Sequence, residues 1–282
     1  MSTPRGRALA RFRRNRLAVA GAVVLLVIVV LAVLAPVLAA DPDAVDLAAA
    51  GRGPSAAHWF GTDPSGRDVF ARTLDAGRVS LLVGLLAAAF AVLLGTVLGS
   101  LSGLLGRWVD SLVMRTADTV LSFPIVVVVM VLAGIVGPSV PVLVLAIGCT
   151  QWPIAARVVR GVTLSQRDRA HLQAARVSGA STGWLIRKHV LPAALPPATV
   201  TGTLAVAQAV MLETTMSFLG LGVRPPQASW GNMLTDAQNL TLIQTMPWLW
   251  IPPGVAIALT VLSVNFVGDG LRDAVDPKQV HR

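Results

Sequence analysis

From Leu17 to Ala40 the chain runs 24 residues without a charge. Five more apolar blocks follow, at Val79 to Leu105, about Thr119 to Val136, Val140 to Ala156, Leu191 to Leu221 and Trp248 to Val267. At a helical rise of 1.5 Å per residue the first block covers roughly 36 Å, enough for a tilted bilayer crossing. Only 13% of the 282 residues are charged and 54% are hydrophobic, so too few charged side chains remain to solvate a globule. The pattern predicts an all-α membrane protein with six transmembrane helices, since a spanning helix satisfies its own backbone hydrogen bonds. A cleaved signal peptide is the rival reading of the first block, and Arg13-Arg14 hints at a twin-arginine signal. Such signals have apolar cores of about 7 to 15 residues, and the greater length here favours a retained anchor.

Cysteine and histidine exclude other classes. Cys149 is alone, and His58, His171, His189 and His281 form no cluster at ligand spacing, so neither a disulfide framework nor a bound metal is expected. The 23 basic residues outnumber the 14 acidic ones, but they flank apolar spans and build no aromatic-rich groove, which argues against nucleic acid.

The basic residues also orient the chain. With an even number of crossings, a cytoplasmic N-terminus puts 18 Lys and Arg on the cytoplasmic side and five outside: Arg52, Arg67, Arg72, Arg78 and Arg224. The expected organisation is a basic cytoplasmic arm (1–16), an anchor helix (17–40), an extracytoplasmic loop (41–78), a transmembrane domain (79–270) containing a cytoplasmic loop (157–190), and a cytoplasmic tail (271–282). Both termini are then cytoplasmic in a multi-pass protein.

Within the spans, Gly95, Gly99 and Gly103 share one helix face and predict close backbone packing. Glu213, the only glutamate, lies deep in the fifth block, where an ionisable group costs several kcal/mol unless paired or wetted. It is a candidate for a solute or ion pathway, where such groups are found within membranes, or for interhelical packing; Gln208 and Asn265 are weaker candidates of the same kind. Trp152, Trp248 and Trp250 lie near span ends and read as interfacial anchors. Gly179-Ala180-Ser181-Thr182-Gly183 matches a nucleophile-elbow pattern without the required strand and helix, and no phosphate-binding Gly-Lys loop occurs. Asn239-Leu240-Thr241 is a glycosylation acceptor pattern on the outer side.

The loop 157–190 carries a more specific signal. Gln173-Ala174-Ala175, then Gly179, then Leu191-Pro192 resembles the EAA signature of binding-protein-dependent ABC importer permeases. Other blocks are similar, in the same order, to the dipeptide/oligopeptide/nickel permease family: His58 to Asp68, Gly77 to Leu81, Trp108-Val109-Asp110 with Arg115 and Asp118, Ser122-Phe123-Pro124, Ser217 to Pro226, Ser229 to Met233 and Gly268 to Pro277. The resemblance covers about Leu17 to Pro277 and points to the C-type subunit of two paralogous permeases.

That resemblance implies a type I ABC importer transmembrane domain with an N-terminal anchor helix in the inner membrane of a prokaryote. The implied partners are a B-type permease, two ATP-binding subunits docked on the EAA-like loop, an extracytoplasmic solute-binding protein and membrane lipid. ATP and Mg would reside in the partner subunits, with no cofactor and no catalytic residue on this chain. Gln173 departs from the family's usual glutamate, keeping size and hydrogen bonding but losing charge, which weakens coupling or shifts it to neighbouring contacts. The implied cargo is a di- or oligopeptide, with nickel or another small solute as alternative. The rival from another class is an ion-coupled secondary transporter, which would need paired intramembrane ionisable groups where only Glu213 is deep.

Overall fold

The computed structural model describes residues 10–275, and its described residues are mostly helical with no strand. The first span, α1 (Arg16–Val33), starts at Asn15, whose side chain accepts a hydrogen bond from Ala18 N at 3.2 Å and caps the helix. It ends earlier than Ala40: the chain turns at Leu34, and the separate short helix Ala35–Leu38 carries Pro36 in its first turn. Arg5 and Arg7 of the arm, and residues 276–282 of the tail, lie outside the described residues.

The second span is longer than the apolar block that announces it. α2 (Val69–Leu105) begins ahead of Val79 because Asp68 caps it, accepting from Ala71 N at 2.9 Å. The expected loop 41–78 is therefore irregular only to Asp68. The third block is not one rod. α3 (Arg107–Ser122) and α4 (Ile125–Val136) meet at 89°, with Phe123 extended ahead of Pro124. Proline sterics disfavour helical geometry in the residue before it, which makes Phe123 the hinge. Among the described residues five helices are long and apolar enough to cross a membrane, and the bent pair supplies the sixth crossing if it counts as one span.

α5 (Val140–Arg167) carries the fourth span well beyond Ala156 with Pro153 inside it, and α6 (Ala170–Val177) follows. The short helix Thr182–Leu185 passes through a π-helical turn, Ile186–Val190, into α7 (Leu191–Phe218). Pro192, Pro196 and Pro197 do not interrupt the fifth span as expected. The wider turn lets Leu191 N reach Ile186 O, so the ladder continues into a first turn where Pro192 needs no donor. The last span, α8 (Ile251–Val275), follows a 3-10 turn at Pro247–Leu249.

The core is α2 against α5, flanked by α7, with α1 docked on α8. The glycine face behaves as its spacing predicts. A Cβ added at Gly95, Gly99 or Gly103 would stand 2.6 Å from Ala155 Cβ, 2.4 Å from Ala156 O and 2.6 Å from Thr163 Cβ. Contacts that short cannot be relieved by a flexible side chain, so α2 and α5 touch through their backbones. The anchor uses the same device: a Cβ at Gly270 of α8 would meet Ala18 Cβ at 2.3 Å. Trp152 is buried against Val113, Ala117 and Ala156 and is not an interfacial anchor; its neighbours are small enough to admit an indole.

Candidate functional site

Two regions bring together the residues singled out by sequence. At the end of α5, α6 holds Gln173, Ala174 and Ala175. Leu172 is fully buried in a cluster with Leu104, Leu185 and Val190, which seats α6 against the last turn of α2. Arg176 donates from Nη2 to Leu104 O at 3.2 Å, satisfying a carbonyl that the end of α2 leaves open. With Leu172 inward, Gln173, Ala174 and Val177 face out; Val177 is 90% exposed, a large apolar side chain left uncovered.

Gly179 stops α6 in a specific way. Ala180 N donates to Ala175 O and Gly179 N to Arg176 O, each at 3.1 Å, the paired closure of a Schellman motif. Gly179 takes φ +82, a left-handed conformation that a side chain disfavours. Ser181 then caps the next helix, its Oγ accepting from Trp184 N at 3.3 Å. The nucleophile-elbow match is thus a helix-to-helix connection. Leu191 and Pro192 lie in the first turn of α7, beyond the π turn.

The second region surrounds Glu213. This carboxylate is completely buried, accepting from Ser80 Oγ at 2.8 Å and from Ser217 Oγ at 2.7 Å. Ser80 Oγ also accepts from Trp230 N at 3.2 Å, and Trp230 Nε1 donates to Thr73 O at 3.0 Å. Val223 N closes the other side onto Ser217 Oγ. Ser229 caps the helix Trp230–Met233 in a capping box with Asn232. One buried network therefore joins α2, α7 and the chain segment leading to Trp230. Sequence reasoning singled out Glu213 but none of its partners as a group, because they come from three separate blocks. Gln208 is exposed on α7, and Asn265 is half-buried on α8; neither touches Glu213's network.

The remaining blocks also acquire physical content. Asp63 holds its loop by accepting from Ser65 N, Arg67 N and Arg67 Nε within 2.9 Å. His58 Nδ1 lies 2.8 Å from Asp68 Oδ2, tying the loop to the cap of α2. At Gly66 a Cβ would fall 1.9 Å from Asp46 O, so no other residue fits. Trp248 Nε1 donates to Thr62 O at 3.1 Å and packs this loop onto the start of the last span. On the opposite side, Asp110 pairs bidentately with Arg160 and Asp118 pairs with Arg157, clamping α3 to α5.

The described residues form an all-helical bundle with five or six apolar spans, and the short helix α6 is seated against one end of it. Residues 95–281 match the family model described as binding-protein-dependent transport system inner membrane component, and residues 3–54 match the N-terminal TM domain of oligopeptide transport permease C. A putative peptide permease of Brucella suis is 43% identical over 276 residues, 98% of this chain and 91% of that protein. The dipeptide transport system permease of Alkalihalophilus pseudofirmus is 39% identical, covering 98% and 90%. The oligopeptide transport system permease of Bacillus subtilis is also 39% identical, covering 96% and 88%. This chain belongs to the family of binding-protein-dependent transport system inner-membrane components, with a type I ABC transmembrane domain behind an anchor helix.

Proposed function

We propose that this chain is the C-type permease subunit of an ATP-driven importer that carries short peptides across the cytoplasmic membrane. The observation that carries the coupling is α6: Leu172 and Arg176 fix it to the bundle while Gln173, Ala174 and Val177 present a small, uncovered face. That face suits a groove on an ATP-binding subunit, to which Val177 offers an apolar knob and Gln173 a neutral hydrogen-bonding group. Because α6 is seated on the ends of α2 and α7, its displacement would tilt both helices. ATP bound in the partner subunits would supply the differential free energy that switches the two permeases between inward-facing and outward-facing states.

The basic-residue asymmetry supports a cytoplasmic position for α6, the arm and the tail, on the inner face of the inner membrane. Peptide is the favoured cargo because the relatives named above are peptide permeases over nearly their whole lengths. Nickel is the second reading, for a chelated ion needs no protein ligands along the pathway. Glu213 is proposed as an internal clamp, its two oxygens being engaged by serines of the same chain.

Affinity purification from solubilised membranes, with a tag on the C-terminal tail, tests the assembly. A second permease and ATP-binding subunits should co-purify, and the reconstituted complex should accumulate peptide only with ATP and a solute-binding protein. A homo-oligomer showing gradient-driven flux would overturn the reading in favour of a secondary transporter.

A further inference from the structure

A cavity of about 260 Å³ opens between α2, α5 and α7, walled by Ala91, Gln151, Ala155, Thr201, Ala205 and Gln208 among others. Gln151 lies near the middle of α5, is 3% exposed, and has no hydrogen-bond partner for either Oε1 or Nε2 among the described residues. Burying an amide without partners costs about 2 to 7 kcal/mol, depending on the reference medium. A leucine or methionine at this position would avoid that cost, and the unpartnered amide is part of the cavity wall. Gln208 stands on the exposed side of the same cavity, and Thr201 Oγ1 donates to Pro197 O at 3.0 Å, leaving its lone pairs free to accept. None of the lining residues is ionisable.

The chemistry selects the occupant. A primary amide offers one acceptor and one donor side by side, which complements the N–H and C=O that a single residue of an extended peptide points in the same direction. The neutral lining disfavours a charged terminus, and the apolar part of the wall accepts a small side chain. We propose that this cavity is a cargo subsite in which Gln151, assisted by Gln208, recognises the backbone of one peptide residue. The proposal rests on peptide being the cargo.

The test uses the reconstituted complete importer with ATP, comparing kcat/KM for trialanine and for trialanine N-methylated at its central residue. The methylated peptide gains one methyl group and loses one donor. Any preference of the solute-binding protein enters the wild-type and variant ratios equally and cancels. Gln151→Met should narrow the discrimination between the two peptides about tenfold, the worth of one lost hydrogen bond. An unchanged ratio overturns the subsite while leaving the peptide importer standing. A wild-type complex that carries no trialanine overturns the cargo reading and the subsite with it. If Gln151→Met fails to co-purify with its partners, Gln208→Met, at the exposed rim, should shift the ratio in the same direction, and an unchanged ratio there overturns the proposal.

Discussion

Ser80 and Glu213, 133 residues apart in sequence, meet in a buried hydrogen bond of 2.8 Å that ties α2 to α7. The serine also receives Trp230 N, so one hydroxyl links two helices and the segment that follows the second. Glu213→Ala should leave the Ser80 and Ser217 hydroxyls without their acceptor, at about 1 to 3 kcal/mol for each unsatisfied group. Glu213→Gln keeps an acceptor and nearly the same shape, and should cost less than about 1.5 kcal/mol. Thermal survival of the solubilised complex on size exclusion checks this order. Survival of both variants equal to wild type would show that the network contributes nothing, and a Gln variant that survives but does not transport would return Glu213 to the pathway.

The glycine face of α2 makes a second, steric expectation. At Gly99 a methyl group would meet Ala156 O at 2.4 Å, whereas at Gly134 of α4 it would meet nothing within 4 Å. Gly99→Ala should therefore destabilise the bundle by about 1 to 3 kcal/mol through overpacking, while Gly134→Ala should be neutral or slightly stabilising. Membrane-integrated protein surviving graded heating in mild detergent reads both; loss in Gly134→Ala with none in Gly99→Ala would reverse the packing assignment.

What the sequence discloses depends on how locally each feature is encoded. The spans are legible because an uncharged run long enough to cross a bilayer has few alternatives, and Gly95, Gly99 and Gly103 announce their contact because their spacing alone puts them on one face. Prolines are harder. Pro124 bends its block by 89° and Pro153 leaves α5 intact, although both sit in apolar surroundings. The difference is tertiary: α5 is packed along most of its length, while the residues around Phe123 and Pro124 are exposed and free to turn. Glu213 draws attention because a lone acid in hydrocarbon is costly, but its serine partners are ordinary residues, and only the fold brings Ser80 and Trp230 from distant blocks to Glu213 and Ser217. Gln151 had a signal too, an amide within an apolar block, yet nothing local tells a bonded amide from an unpartnered one.

The two ion pairs between α3 and α5 should differ in worth. Asp110 and Arg160 are bidentate and three-quarters to two-thirds covered, whereas Arg157 and Asp118 are 49% and 64% exposed. Charge-assisted hydrogen bonds in the covered pair are worth about 1.5 to 3 kcal/mol each, and an exposed pair about 0 to 1 kcal/mol. Asp110→Asn should accordingly lower the unfolding midpoint clearly and Asp118→Asn hardly at all. A larger loss from Asp118→Asn would mean that this carboxylate has a partner on another subunit.

Gly179 separates folding from coupling. It closes α6 with φ +82 and two backbone bonds, but a Cβ there would meet nothing within 4 Å, so the position is constrained by conformation and not by space. Gly179→Ala should cost about 1 to 2 kcal/mol for the left-handed conformation and retain partial transport. Gly179→Pro is harsher: it fixes φ near −65° and removes the N–H that Arg176 O accepts, so α6 can neither end nor aim as it does. The spans lie elsewhere, and membrane insertion of the proline variant should be normal while ATP-driven uptake is abolished. The variant is checked by membrane fractionation together with peptide uptake in the assembled importer. Normal uptake by Gly179→Pro would remove α6 from the coupling path, because no other residue could restore the same Schellman closure.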